Sequence, residues 1–456
     1  MKISLKNLAP VAIAFAMVMI SGFVCAQKTG IANKATQVKH PEWSKNLSIY
    51  EVNVRQYTPE GTFAALEAHL PRIKELGTDI LWIMPINSIG EMNRKGSLGS
   101  YYSVKDYKAV NPDFGTDADF RHLVQKAHAL GMYVIIDWVA NHSAWDNAFV
   151  KTHPEWYMQD STGKLVSPYD WTDVVRFNFG NPDMSAYMLN ALKYWVTDFD
   201  IDGYRCDVAG MVPDTFWVKA RTELDKIKPV FMLAEDENPR HHAAFDMTYG
   251  WEFHHIMNKI HKGEKNANDI ESYLRKNDSI YPAGAYRMNF ITNHDENSWN
   301  GTEFERLGEG VEAFYVLTAT IPGMPLIYSG QESAMNKRLL FFEKDPIVWG
   351  DYKMADFYKA ILGLKKTNPA LYNGLYGGSW SRIPSGDDEK VFAFIRENHS
   401  NKVFTVVNLS TTPVSATFSG VNVEGTYTEL FTGKKAVVKA GNILNLPAWG
   451  YKVYYK

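Results

Sequence analysis

The sequence predicts an α/β protein built on a (β/α)8 TIM barrel, with an inserted subdomain after the third strand and a C-terminal antiparallel β-sandwich. Short apolar runs alternate with segments of helical spacing, as expected for a parallel sheet buried on both faces. Four of these runs end in a carboxylate. Because the C-terminal strand ends of a barrel surround one pocket, these side chains are expected to meet. The four runs are Tyr133–Asp137, Asp202–Asp207, Val230–Glu235 and Asn289–Asp295.

The other barrel elements follow in order along the chain. Four further strands are predicted at Leu47–Val54, Asp79–Pro85, Ala244–Trp251 and Pro325–Ser329. Between the strands, apolar residues recur at helical spacing, and Gly or Pro marks several helix ends. The predicted helices are Thr62–Leu76, Thr116–Leu130, Met184–Phe199, Pro213–Ile227, Glu312–Thr320 and Tyr352–Lys366.

Two segments depart from the barrel pattern. Between about 141 and 182, aromatic residues, Pro and Gly alternate without a long period, and a structureless loop of this length would be unusual. This segment is therefore predicted to be a subdomain over the pocket. Beyond about 368, β-branched or alternating runs lie at Val391–Ile395, Val403–Val407 and Tyr451–Tyr455. The predicted domains are a signal peptide at 1–26, a catalytic barrel at 27–368 and a β-sandwich at 369–456.

The N-terminus resembles a secretory signal peptide. A positively charged start precedes the apolar run Val11–Ile20, which is too short to favour a membrane-spanning helix, and Ala26 supplies a small residue before the cleavage site. Export to the periplasm or beyond the cell is therefore expected. A lipid anchor on Cys25 is the less favoured alternative, because Phe23 and Val24 fit a bacterial lipobox poorly.

Composition argues against several partners and against a disulfide. A net charge of -3 gives no basic bias toward nucleic acid or anionic membranes, and no later stretch is long enough to span a membrane. Cleavage after Ala26 would leave Cys206 as the one remaining cysteine, which cannot form an internal disulfide. Because strand side chains alternate, Cys206 is expected to pack away from the face that Arg205 and Asp207 share.

Two strand ends carry residues suited to acid–base chemistry. Arg205 and Asp207 lie two residues apart and face the same side of a strand. A guanidinium beside Asp207 is expected to lower its pKa and hold it as an anion that could attack an anomeric carbon, although a structural ion pair is the alternative. Glu235 ends an apolar strand, where burial is expected to raise its pKa toward that of a general acid. Glu237 is the rival candidate for that position.

A zinc site is a competing interpretation of the Asp-His pairs. His142 follows Asn141, and His294 precedes Asp295. The chain carries no HExxH motif or Cys cluster, and Arg205 would repel a cation, so catalytic zinc is disfavoured. Paired acids instead favour the cleavage of glycosidic bonds.

Taken together and in this order, the motifs resemble those of the α-amylase family, glycoside hydrolase family 13. The resemblance extends over about residues 47–456. Any one motif is of modest specificity, whereas all of them in register are highly specific. The matching segments are Asp137-Trp-Val-Ala-Asn-His142, Gly203-Tyr-Arg-Cys-Asp207, Glu235 and Asn293-His-Asp295, supported by Leu81–Pro85, Phe177–Pro182 and Gly323–Glu332.

The resemblance implies a role for each of the three carboxylates. Asp207 would be the nucleophile that forms a β-glycosyl-enzyme intermediate. Glu235 would be the general acid and then the base that activates water. Asp295 would stabilise the distorted sugar through its hydroxyls. Such enzymes retain anomeric configuration, which calls for a nucleophile and an acid about 5 Å apart.

The resemblance also implies a set of residues that bind substrate. Arg205 would orient the nucleophile, and His142 and His294 would hydrogen-bond the sugar next to the cut. Tyr102 matches the ring that stacks under that sugar. These four residues belong to different segments of the chain, and the resemblance implies that the fold brings them into one pocket.

Two departures from the family pattern bear on metal and substrate. The resemblance implies that the chemistry needs no cofactor. Many members of the family bind a structural calcium ion, and Asn141 matches one of its ligands. Gly210-Met211 stands where many α-amylases carry Lys-His, which weakens the case both for calcium and for one downstream sugar contact. Tyr101 replaces the Gly that commonly precedes the stacking Tyr.

The resemblance implies a hydrolase of α-1,4-glucosidic bonds in starch, maltodextrins or related α-glucans. The N-terminal segment predicts its export, and a monomer is expected. A transglycosylating or a neopullulanase/cyclomaltodextrinase-like member of the family shares the three carboxylates and stays an alternative. An inactive starch-binding protein is less favoured, because degenerate relatives usually lack one of the carboxylates.

Overall fold

Eight parallel strands close into a barrel in the computed structural model, which describes residues 38–456. The predicted signal peptide and the candidate lipid-anchor residue Cys25 lie outside the described residues. The strands before the C-terminal region, in chain order, are β1 Ile49–Val52, β2 Ile80–Ile83, β3 Asn87–Ile89, β4 Val104–Val110, β5 Tyr133–Trp138, β6 His142–Ala144, β7 Val174–Arg176, β8 Gly203–Cys206, β9 Phe231–Ala234, β10 Met247–Tyr249, β11 Tyr286–Asn289 and β12 Met324–Tyr328.

Helices follow most barrel strands and cover the outside of the barrel. Local signals explain several of their starts: Thr116 and Asp119 form a capping box, and Asn181 caps a helix that begins with Pro182. None of the helices within residues 38–456 is long and apolar enough to cross a membrane. In chain order they are α1 Val54–Tyr57, α2 Phe63–Glu67, α3 Leu70–Glu75, α4 Asp117–Ala129, α5 Phe149–Thr152, α6 Pro182–Phe199, α7 Asp214–Leu224, α8 Trp251–His261, α9 Ala267–Ile280, α10 Glu303–Leu307, α11 Val311–Thr320 and α12 Ala355–Thr367.

The barrel strands neighbour one another in the order β1-β12-β11-β10-β9-β8-β5-β2, and β2 pairs with β1 to close the ring. Apolar side chains fill the interior, while a second and larger cluster lies between the strands and the helices. The predicted (β/α)8 fold is confirmed. The interior side chains include Ile49, Trp82, Ile135, Phe231, Leu233, Met247, Met288 and Leu326.

The structure corrects two predicted elements. The helix predicted at Thr62–Leu76 is divided into α2 and α3, because Pro71 suits the first turn of a new helix and would interrupt a continuous one. The seventh strand was expected to end near Asp295, but β11 ends at Asn289. Its partner there is Pro325, which has no N–H with which to continue the ladder. Asp295 therefore lies on the loop that follows the strand.

The segment between β5 and α6 forms a small unit of its own. In it β6 pairs with β7 in antiparallel fashion, from His142 opposite Arg176 to Ala144 opposite Val174. This is the predicted inserted subdomain after the third barrel strand. The exact domain limits given above stay predictions.

The C-terminal region is antiparallel, as predicted. Six strands pair in the order β13-β14-β15-β20-β17-β18, and β16 and β19 form a second sheet with shared apolar packing. Arg396 of this region is buried and donates hydrogen bonds to the carbonyls of Thr320, Tyr372 and Gly378, which joins the sheet to the barrel. The strands are β13 Ser379–Arg382, β14 Val391–Asn398, β15 Asn401–Asn408, β16 Val414–Thr417, β17 Gly425–Glu429, β18 Lys435–Val438, β19 Ile443–Leu446 and β20 Tyr451–Tyr455.

Gly203 allows two neighbouring barrel strands to approach each other closely. Its φ is +149°, and a Cβ at this position would lie 1.8 Å from the carbonyl oxygen of Phe231. Gly203 begins β8, and Phe231 begins β9. The absence of a side chain is therefore a condition for the register of the strands that lead to Asp207 and Glu235.

We expect Gly203→Ala to lower the free energy of unfolding by at least about 3 kcal/mol, since it combines a strained φ with a clash against backbone. Gly363→Ala is the matched control, because Gly363 lies within α12 and its Cβ would meet nothing within 4 Å. That control should gain about 0.5–1 kcal/mol from helix propensity. Urea unfolding of both variants measures this, and similar stabilities would contradict the packing argument.

Candidate active site

A buried guanidinium organises the C-terminal end of the barrel. Arg205 Nη1 lies 2.9 Å from Asp137 Oδ1 and 3.0 Å from Asp207 Oδ1, and Arg205 Nη2 lies 3.0 Å from Glu235 Oε2. Its Nε donates to the hydroxyl of Tyr249 at 3.1 Å. The Arg205 side chain has no solvent exposure. One cation thus contacts three carboxyl groups, one on β5 and the other two directly after the adjacent strands β8 and β9.

Glu235 is the inward carboxyl group of its loop, as predicted. Its Oε2 accepts a hydrogen bond of 2.7 Å from the backbone N–H of Val208. Val208 has φ +37°, an unusual conformation for a β-branched residue, in the turn that follows Asp207. The rival Glu237 instead pairs with Arg287 away from this cluster.

Burial dominates the protonation of the carboxyl groups around Arg205. It raises the pKa of Asp207 to about 6 and that of Glu235 to about 7, although the guanidinium opposes both shifts. Burial likewise raises the pKa of Asp137 to about 6. The expectation for Glu235 is confirmed, whereas the expected net lowering of the pKa of Asp207 is wrong because desolvation exceeds the effect of Arg205.

Asp295 and His294 approach the cluster from the loop after β11. His294 Nε2 lies 3.3 Å from Asp295 Oδ2 and 2.8 Å from the hydroxyl of Tyr102. Burial lowers the pKa of His294, but the carboxylates of Asp295 and Glu51 outweigh it and raise the pKa to about 9. Tyr102 also donates to Asp137 Oδ2 at 3.1 Å, and its ring is nearly parallel to that of His294.

His142 completes the predicted set from the side of the inserted subdomain. Its ring contacts Trp171 edge-on, at 5.5 Å between centroids. Burial lowers the pKa of His142 to about 3, so the ring is neutral near pH 7 and can both donate and accept a hydrogen bond. Cys206, in contrast, is buried in the apolar cluster outside the barrel, as predicted.

A cavity of about 410 Å³ lies over these groups. Six of the seven predicted catalytic and substrate-binding residues line it, and the seventh, Arg205, lies directly beneath them. The residues that line it are part polar and part aromatic, as in sites that orient a ligand by a few hydrogen bonds. The lining residues are Lys95, Ser100, Tyr102, His142, Asp170, Trp171, Asp173, Val174, Asp207, Val208, Glu235, His294, Asp295, Trp299, Phe341 and Phe342.

Sequence reasoning missed the contributions of several residues. Asp137 was recognised as a strand end, but not as a partner of Arg205 and Tyr102. Glu51, which pairs with His294, could have been noticed as a charge within the fully buried strand β1. Trp299 and Phe341 lie on loops whose local sequence carries no signal for the site.

Asn141, the predicted calcium ligand, lies beside His142. Asn141 is buried, and its side-chain amide lies 3.2 Å from Nδ1 of His142. Within residues 38–456 no group of three or more His, Cys, Asp or Glu side chains could hold a metal ion. The structural calcium ion therefore stays a prediction from the family resemblance.

Gly210 explains one departure from the family pattern. A Cβ at Gly210 would lie 2.0 Å from Asp236 Oδ2, so the carboxylate of Asp236 takes the space that a side chain would enter. The residue after it, Met211, closes the short turn that follows Asp207.

The barrel and its carboxylate cluster define a (β/α)8-barrel glycoside hydrolase. The family model for the alpha-amylase catalytic domain matches residues 30–176 and 143–369, and that for the maltogenic amylase C-terminal domain matches 383–453. The chain therefore belongs to the alpha-amylase family, glycoside hydrolase family 13.

Individual relatives agree with this assignment. The structure of the maltogenic alpha-amylase AmyB from Thermotoga neapolitana is 30% identical with a TM-score of 0.84, over 91% of this chain and 99% of that one. Alpha-amylase MalA of Haloarcula japonica is 26% identical over 82% of this chain, which spans 57% of that protein. The cyclomaltodextrinase of Thermoanaerobacter pseudethanolicus is 25% identical over 81% of this chain and 71% of that protein.

Because Arg205 neutralises part of the charge of three buried carboxyl groups, we expect Arg205→Met to destabilise the protein in a pH-dependent way. At pH 8 the carboxylates are ionised and the loss should be about 3–5 kcal/mol. At pH 5, below the raised pKa values of about 6 to 7, the groups take up protons and the loss should be less than half as large.

Urea unfolding at the two pH values measures the difference. Lys359→Met is the control, since Lys359 forms an exposed pair with Glu75 and should cost less than about 1 kcal/mol at either pH. An equal loss for Arg205→Met at pH 5 and pH 8 would refute the electrostatic role.

Proposed function

We propose that this chain hydrolyses α-1,4-glucosidic bonds in maltooligosaccharides, starch or related α-glucans with retention of anomeric configuration. The observation that carries the proposal is that Asp207 and Glu235 contact different nitrogens of the buried Arg205 while both line the cavity. The shared contact holds the two carboxyl groups near each other in the cavity, as a nucleophile and an acid that act on one glycosidic bond require. The names of the relatives, all enzymes of α-glucans, support the substrate class.

In the first step the carboxylate of Asp207 attacks the anomeric carbon. A bond forms between that carbon and the Asp207 oxygen, the glycosidic bond breaks, and Glu235 gives its proton to the leaving oxygen. In the second step Glu235 takes a proton from water, whose oxygen displaces Asp207. Two inversions at one carbon give net retention.

The other residues hold the sugar and the nucleophile in place. The Arg205 guanidinium fixes the orientation of Asp207 through the 3.0 Å contact. Asp295 and the charged ring of His294 are suited to bind sugar hydroxyls, and so is the neutral ring of His142, which lines the same cavity. The ring of Tyr102 offers a face on which the same sugar can stack.

Retention through Asp207 is tested by variants and by product analysis. Asp207→Asn should lower turnover of maltoheptaose by at least about 10³-fold, because an amide cannot act as the nucleophile, while calorimetry should still detect oligosaccharide binding. Wild type should release sugar of α configuration, as measured by NMR during the first minutes of the reaction. Initial release of the β anomer, or turnover unchanged in Asp207→Asn, would refute the mechanism.

The pKa values predict a narrow pH optimum. Activity should fall below pH 6, where Asp207 takes up a proton, and above pH 7, where Glu235 loses the proton that it must donate. Glu235→Gln should remove the alkaline limb and lower kcat/KM for maltoheptaose by about 10²- to 10⁴-fold. Glu237→Gln is the matched control and should keep the limb. An unchanged alkaline limb in Glu235→Gln would assign the acid elsewhere.

A second candidate is a cyclomaltodextrinase-like or transglycosylating enzyme with the same carboxylates. The chain is similar to a cyclomaltodextrinase over 81% of its length, and residues 383–453 match the model for a maltogenic amylase C-terminal domain. Both similarities support this second candidate. Chromatography of products from maltoheptaose and from β-cyclodextrin separates the candidates. Products longer than maltoheptaose indicate transfer, and ring opening at a rate equal to that on linear chains indicates a cyclomaltodextrinase.

Export and a monomeric state belong to the proposal as well. Cell fractionation tests the export, and sedimentation tests the monomeric state.

A further inference from the structure

Trp299 is unusually exposed for a large aromatic residue beside an enzyme cavity. Its side chain is 54% exposed and lines the cavity over the carboxylates. It lies on the π-helical turn Glu296–Asn300, directly after Asp295. Its ring packs against Phe341 at 5.2 Å and Phe342 at 5.9 Å between centroids. We refer to Trp299, Phe341 and Phe342 as the aromatic wall.

Hydrogen bonds between its two chain segments fix the aromatic wall. Asn297 Oδ1 accepts from the backbone N–H of Leu339 at 2.8 Å, and Asn297 Nδ2 donates to the carbonyl of Lys337 at 3.0 Å. On the other side the carbonyl of Phe342 accepts from the N–H of Leu98 at 3.1 Å. The wall is therefore formed before a ligand binds, which reduces the entropy lost on binding.

The position of the aromatic wall identifies the part of a substrate that it can meet. Phe341 is nearly parallel to Tyr102, with centroids 6.2 Å apart, so the wall continues the face on which the cleaved sugar is proposed to stack. The sugar on the leaving-group side must approach Glu235, which gives its proton to the leaving oxygen. The wall follows β11 and β12, which lie two and three strands round the barrel from β9, the strand that leads to Glu235. The wall is therefore placed to meet the sugar on the glycone side, away from Glu235.

We propose that Trp299, backed by Phe341, is the stacking platform for the second glucose unit on the glycone side. This assignment rests on the proposed function. A glucose ring presents an apolar C–H face, and the exposed indole provides a flat apolar surface of matching size. If this contact is also made in the transition state, a substrate with two glycone sugars will react faster than one with a single glycone sugar.

Two chromogenic substrates isolate this contact, because 4-nitrophenyl α-maltoside has two glucose units on the glycone side and 4-nitrophenyl α-glucoside has one. The measured quantity is the ratio of their kcat/KM values for release of 4-nitrophenol. Trp299→Ala should lower this ratio by about 10- to 100-fold, and Trp299→Phe, which keeps an aromatic face, by less than about 3-fold. The exposure of Trp299 makes both variants compatible with folding, which thermal unfolding checks.

Trp380→Ala is the matched control. Trp380 is a partly exposed Trp of β13 whose indole N–H bonds Asp278, and it lines a different cavity. Its removal should leave the ratio unchanged. An unchanged ratio in folded Trp299→Ala would overturn the subsite while leaving the proposed function intact. If wild type cleaves neither the two chromogenic substrates nor maltoheptaose, the proposed function itself is overturned, and the subsite with it.

Discussion

The contact of one buried guanidinium with three carboxyl groups is the constraint on which the rest of the site depends. Arg205 supplies a single positive charge, so three ionised carboxylates around it would leave a net negative charge in a medium of low dielectric constant. The free energy of this buried charge is lowered when one of the carboxyl groups retains a proton. Burial raises the pKa of the Glu235 carboxyl to about 7, which suits this group to the proposed role of a proton donor near neutrality.

The barrel meets this constraint through the order of its strands. The strands β5, β8 and β9 are neighbours and bring Asp137, Asp207 and Glu235 to one edge, and Gly203 permits the close approach of two of them. Asp295 arrives differently, on the loop after β11. There the neighbouring His294 contacts both Glu51 of β1 and Tyr102. These two contacts restrict the position of the loop that carries Asp295.

Sequence reasoning succeeded where the relevant information is local. Strand ends, alternation of side chains and the apolar surroundings of Glu235 predicted the barrel, the facing of Arg205 and Asp207, and the raised pKa of Glu235. The net pKa of Asp207 could not be obtained in this way, because it is a balance between burial and charge that depends on how completely the site is enclosed. Trp299 and Phe341 were missed for a related reason: their meeting results from hydrogen bonds between loops far apart in sequence.

The two sides of the cleft differ in a way that bears on how binding free energy is used. On the side that the family resemblance assigns to the leaving group, the carboxylate of Asp236 lies next to Gly210, which itself offers no side chain to a sugar. On the proposed glycone side, an exposed indole is part of the hydrogen-bonded aromatic wall. In the proposed mechanism, contacts on the glycone side persist in the covalent intermediate, whereas those to the leaving group are lost when the first bond breaks. In that mechanism an unequal cleft favours retention of the glycosyl-enzyme and release of the first product, after which water can approach Glu235.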